Sequence, residues 1–173
     1  AIHIAAIECL TKHLLPETQN LIDIFDQKSK EWKDIIKIGR THLQDAVPIS
    51  LGQEVSAWKN QIINSQKRIQ DSLNELYFLP LGGTAVGTGL NSPEGFDQLI
   101  AKELAIYTSL PLKVSRNKFA IMSSHDGLIN TMSQLKLLAV NLLKVFNDIR
   151  LLSCGPRAGF AELILPANEP GSS

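Results

Sequence analysis

The segment LINTMSQLKLLAVNLLKVFNDI, residues 128–149, places Leu128, Met132, Leu135, Ala139, Leu142, Phe146 and Ile149 at alternating steps of four and three. That spacing lines one face of an α-helix with a seam of apolar side chains. Ile129, Leu137, Val140 and Leu143 add apolar width beyond the seam, as a helix buried on more than one side requires. The same logic recurs upstream. Val55, Ile62, Ile69 and Leu76 recur at sevens through residues 53–79, joined by Trp58 and Leu73. At ~1.5 Å per residue each helix would run about 40 Å, which suggests a bundle of long rods, one shared between subunits.

Breakers mark where the rods stop. Gly and Pro leave residues 1–15, 17–38, 53–79, 96–110, 112–126 and 128–154 untouched, and the longest of these exceed any ordinary strand. Ile7, Leu10 and Leu14 share a face, which Leu21, Ile24, Phe25, Lys28, Trp32 and Ile35 continue past Pro16. Whether Pro16 kinks one helix or opens another stays open. A shorter helix fits 94–107, with Pro93 early and Ser92 as its cap. His125 and Asp126 fall inside a helical segment as satisfied polar contacts. Nothing alternates with period two over a useful length, so the expected class is all-α, a bundle of long helices.

Composition narrows the partners. The 173 residues carry 17 Lys+Arg against 17 Asp+Glu, a net charge of zero, so nothing favours nucleic acid or an anionic membrane surface. With 44% hydrophobic residues the chain is too apolar for disorder. No apolar run approaches the roughly 20 residues of a membrane span, and residues 1–10 do not read as a signal peptide, so a soluble protein is expected. Cys9 and Cys154 fit no CxxC or disulfide framework, which suits a reducing, intracellular compartment. Cys154, near a helix end, reads as packing rather than as a nucleophile.

Three polar, glycine-bearing segments interrupt the rods. The first, GRTHLQDAVP at 39–48, gathers a cation, a hydroxyl, an imidazole, an amide and a carboxylate. His42 can move protons near neutrality while Thr41 and Arg40 hold an anion. An interhelix turn capped by Asp45 or Thr41 accounts for the same composition. The second, GGTAVGTGLN at 82–91, fails both nucleotide templates: Thr88 stands where a phosphate loop needs lysine, and Ser92 where a dinucleotide fold needs glycine. A crossover where backbones approach closely is the better reading. The third, beginning at Ser153, ends a helix and runs as an extended loop through Glu162 to Ser173.

Taken together, GRTHLQDAVP, GGTAVGTGLN, NDIRLLSCGPRAGF (147–160) and NEPGSS (168–173) resemble, in that order, the class II fumarases of the aspartase/fumarase superfamily. The likeness runs along essentially the whole chain, including Asn117-Lys118-Phe119. It implies reversible hydration of fumarate to L-malate with no metal or organic cofactor. It also implies site residues: His42 as proton donor and acceptor, Thr41 as substrate-binding, Ser172 as catalytic serine and Ser173 as substrate-binding. The small dicarboxylates fumarate and L-malate are the implied ligands, a homotetramer built on the helical core the implied assembly, and each active site draws on three subunits. The implied compartment is the cytoplasm, with the mitochondrial matrix as alternative.

The resemblance covers the family's central helical domain. The family continues after GSS with Ile-Met-Pro-x-Lys-x-Asn-Pro, and it carries Ser-Gly-Thr and His-Pro-Asn-Asp motifs in an N-terminal domain; residues 1–173 contain none of these. The expectation is therefore a domain spanning 1–173, without the N-terminal and C-terminal domains, and with negligible activity alone. Two other readings are weighed beside it. One is a self-associating helical core whose motifs are inert. The other is an aspartate ammonia-lyase-like member, although aspartases typically carry glutamine where His42 stands.

Overall fold

A computed structural model describes residues 1–167, 169 and 171. Ser172 and Ser173, assigned above to the catalytic and substrate-binding serines, lie outside the described residues, as do Asn168 and Pro170.

The chain folds as α1 (Ile2–Cys9), a π-turn (Leu10–Leu14), α2 (Leu15–Glu31), β1 (Ile36–Thr41), β2 (Gln44–Ser50), α3 (Leu51–Leu76), β3 (Phe78–Leu79), α4 (Phe96–Thr108), β4 (Lys113–Val114), α5 (Lys118–Ser123) and α6 (Asp126–Leu152). Long helices dominate, as expected. α1 and α2 form one rod. Pro16 offers no N–H to the carbonyl four residues earlier, and the π-turn just before it absorbs the missing bond.

α3 is the axis of the fold, packed against α2 on one side and α6 on the other. Its start is fixed by a capping box in which Ser50 Oγ accepts from the Gln53 N–H at 3.1 Å and Gln53 Oε1 accepts from the Ser50 N–H at 2.9 Å. Val55, Trp58, Ile62, Ile69, Leu73 and Leu76 are all buried, which is the seam the sevens predict. Phe25 tilts against Trp58 with ring centroids 6.1 Å apart, and Asn141 Nδ2 donates to the buried Ser65 Oγ at 2.7 Å.

α6 differs from its expected seam. The side chains it buries are Thr131, Leu138, Val145 and Leu152, with Leu128, Leu135, Leu142 and Ile149 packed beside them. Met132 and Phe146 instead face outward, 66% and 56% exposed. The helix is apolar around most of its circumference, so the periodicity alone does not say which stripe meets α3.

Smaller differences have local causes. α4 begins at Phe96 with Gly95 at its cap in a left-handed conformation, so Ser92 does not cap it. His125 stands at the N-cap position of α6, without a side-chain capping bond, and Asp126 is its first residue, so the pair opens a helix rather than sitting inside one. Two short antiparallel and parallel pairings, β1–β2 and β3–β4, add a little sheet to the helical frame.

Candidate functional site

The first polar segment is a β-hairpin, not the interhelix turn its composition allows. Ile36 pairs with Ser50, Lys37 with Ile49, Ile38 with Pro48, Arg40 with Asp45 and Thr41 with Gln44. Pro48 is tolerated because a two-stranded ribbon has free edges. The register slips between Ile38 and Arg40, where a bulge lies opposite Gly39. A Cβ at Gly39 would stand 2.7 Å from the Val47 carbonyl oxygen, so only glycine lets the strands close.

His42 and Leu43 form the two-residue tip, with φ of 54° and 61°. Positive φ at both positions is the type I′ geometry that matches strand twist, and it usually takes Asn-Gly. Here a histidine and a leucine occupy it, at a cost that surrounding structure must hold. Thr41 and His42 are both exposed. The imidazole is thus presented outward at the end of the ribbon, next in sequence to Thr41.

Arg40 is not available to a ligand in the way its neighbours suggested. Its Nη2 donates to Glu162 Oε1 at 2.5 Å, and its guanidinium lies 3.9 Å from the centroid of the Phe160 ring. Lys37, 8% exposed, sits 2.5 Å from Glu162 Oε2 and 2.5 Å from Glu54 Oε2. Glu162 therefore clamps two residues of β1, and Glu54 ties that clamp to the first turn of α3. Burial pushes the Glu162 carboxyl up, but the hydrogen bond from Arg40 and the neighbouring charges of Lys37 and Arg40 outweigh it and hold it below the usual carboxylate range. The hydrogen bond to Glu162 raises Arg40 in turn. Reading the sequence missed Lys37, Phe160 and Glu162 as parts of the site; their partners lie too far away in the chain for spacing to reveal them.

The glycine segment at 82–91 is the close crossover expected of it. Gly82, Thr84, Gly87, Gly89 and Asn91 all have positive φ. A Cβ at Gly87 would stand 2.8 Å from the Phe119 ring, and one at Gly83 would stand 2.6 Å from Met122 Sδ. The third segment folds back on α6. Glu162 N–H donates to the Leu152 carbonyl at 2.8 Å, and Phe160 N–H to Cys154 Sγ at 3.4 Å, so Cys154 helps hold the turn. This return places Phe160 and Glu162 under the hairpin.

A concavity of about 1000 Å³ includes His3, Phe78, Lys102, Arg116 and His125 in its lining and does not include His42 or Thr41. Among the described residues the histidine of the hairpin is the one predicted catalytic group, with Thr41 beside it; Ser172 lies outside them.

Known proteins resemble this chain in both sequence and fold. A family model described as Lyase matches residues 1–173. The class II fumarate hydratase of Prochlorococcus marinus (strain MIT 9313) is 65% identical over the whole chain. The chain spans 37% of that relative's length. Among solved structures, the class II fumarase from Schistosoma mansoni superposes with a TM-score of 0.93 at 39% identity, over 99% of this chain and 39% of that one. The fumarate lyase:delta crystallin from Brucella melitensis bound to cobalt gives a TM-score of 0.93 at 35% identity, over 99% and 37%. With the model matched from first residue to last and class II fumarate hydratases among its relatives, the chain belongs to the lyase family.

Proposed function

We propose that residues 1–173 are the central helical domain of a class II fumarate hydratase, which reversibly hydrates fumarate to L-malate. The observation that carries this reading is the 65% identity to such an enzyme along all 173 residues. In this reading the N-terminal and C-terminal domains are supplied by other parts of a longer protein.

The chemistry assigns the roles. Taking the proton beside a carboxylate of L-malate leaves an aci-carboxylate dianion, which hydrogen-bond donors and cations must meet as its charge develops. Ser172 is the base toward that carbon proton, and His42 exchanges a proton during addition or loss of water. Thr41 and Ser173 bind the dicarboxylate. The outward hairpin tip suits a site completed by other subunits, and the exposed apolar stripe of α6 supports a homotetramer formed through the helical core. Neither nucleic acid nor membrane is a partner in this reading; among the described residues no helix is long and apolar enough to cross a membrane. The compartment that fits is the cytoplasm, or the mitochondrial matrix.

The test is steady-state turnover of the full-length protein on fumarate, followed by absorbance. Efficient hydration, abolished in His42→Asn, is the expected result. Release of ammonia from L-aspartate without hydration of fumarate would replace this reading with the ammonia-lyase one. A polypeptide of residues 1–173 alone should show negligible turnover. It lacks the lysine and asparagine that follow GSS in the family, each a large electrostatic contribution.

A further inference from the structure

We propose that Glu162 is a positioning residue for the histidine of the hairpin: by bridging Lys37 and Arg40 it fixes the angle at which β1–β2 presents Thr41 and His42. The inference rests on the hydratase reading above and goes beyond it, because it concerns a residue that touches neither substrate nor reacting atoms.

Three observations carry it. Glu162 lies 122 residues from Arg40 in sequence yet shares a 2.5 Å hydrogen bond with it, and its other oxygen is 2.5 Å from the Lys37 ammonium. Both pairs are largely shielded, with side-chain exposures of 8%, 16% and 17% for Lys37, Arg40 and Glu162. They are therefore far less screened than surface pairs. Lys37 and Arg40 are also three residues apart, an odd spacing that would send their side chains to opposite faces of a flat strand. The irregular register between Ile38 and Arg40 adds the twist that lets both reach one carboxylate.

The clamp grips the hairpin just below its tip. Arg40 is two residues from His42, and Phe160 stacks on the Arg40 guanidinium, so the tip is held from the side of the loop that leaves α6. That loop runs on in sequence toward Gly171-Ser172-Ser173. Glu162 thereby joins the hairpin bearing the histidine to the loop that leaves α6. A tip with two non-glycine residues at positive φ has little to hold it in place by itself.

The experiment measures kcat and KM of full-length wild type, Glu162→Gln and Glu162→Asp on fumarate and L-malate, with thermal melts of each. Glu162→Gln is expected to lose about tenfold to a hundredfold in kcat, since a shift near 1 Å in a catalytic group costs on that order, with KM changed less than kcat. Glu162→Asp retains the charge at a shorter reach and should regain only part of kcat, with KM near the wild-type value. If Glu162→Gln melts earlier yet keeps wild-type kcat and KM per folded molecule, the residue is structural only and the proposal is overturned. If Glu162→Gln does not fold, Glu162→Asp decides, and wild-type kcat in it overturns the proposal. An inactive wild type removes the hydratase reading and this role together, so the two failures are distinguishable.

Discussion

The indole Nε1 of Trp58 donates to Oδ2 of Asp148 at 3.0 Å, joining α3 to α6 across 90 residues of sequence. Trp58 is 2% exposed, so its N–H has no water to turn to. Lys144 holds the same carboxylate from one turn earlier on α6. Trp58→Phe removes the donor and should cost about 1.5–3 kcal/mol, the range for hydrogen bonds to charged groups. Asp148→Asn keeps an acceptor for the indole and gives up an exposed i,i+4 pair, for a loss of about 0.5 kcal/mol. Urea unfolding of both variants checks the ordering. Equal losses would place the value in the Lys144 pair instead.

Gly39 makes a separate prediction. Its substitution by alanine drives a Cβ into the Val47 carbonyl at 2.7 Å, backbone against backbone, with no flexible end to yield. Gly39→Ala should destabilise by about 1–3 kcal/mol, as overpacking does. The loss should appear as altered amide shifts from Ile38 to Val47 in NMR spectra, with α3 unchanged. A neutral substitution would mean that the hairpin opens more easily than its register implies.

The pH dependence of stability follows from Asp26. Hydrogen bonds from Lys30 and Lys59 lower its carboxyl from 3.8 to about 2. A folded value depressed below the unfolded one stabilises above the unfolded value, and that stability is lost as pH falls through the folded one. The window is therefore from about 3.8 down to about 2, and Glu162, also held low, acts with the same sign. Urea midpoints of wild type and Asp26→Asn, taken from pH 6 to pH 2, should differ most at the upper end and converge at the lower. A difference constant with pH would show that Asp26 acts by something other than its charge.

What was legible in the chain divides along physical lines. α3 could be read because one stripe of it is apolar and the rest is polar, so Val55, Ile62, Ile69 and Leu76 had one place to go. α6 was legible as a helix but not as an orientation, because Thr131, Leu138 and Val145 compete with Met132 and Phe146 for the same inward side. The hairpin left almost no trace. Its strands are six and seven residues long, its pattern is broken at Gly39, and its tip uses His-Leu where a turn signal would be Asn-Gly. Of the site, His42 and Thr41 stood out by type and motif. The clamp did not, since Glu162 becomes a neighbour of Lys37 and Arg40 only after the loop beyond α6 has folded back.

The outward stripe of α6 yields the last prediction, which tests the assembly proposed above. Ile129, Met132, Val140, Leu143 and Phe146 are 63%, 66%, 54%, 62% and 56% exposed in the single chain. Five large apolar side chains more than half exposed on one helix form a contiguous surface that monomers seldom leave to water. If this surface closes the helical core between subunits, Val140→Glu with Leu143→Glu should convert the full-length protein from tetramer to smaller species, as sized by light scattering. Burying two carboxylates against an apolar neighbour is far costlier than leaving them in water. Within the isolated chain the same pair is exposed, so folding of residues 1–173 should change by no more than about 0.5 kcal/mol per substitution. An unaltered tetramer would move the interface to another face of the bundle.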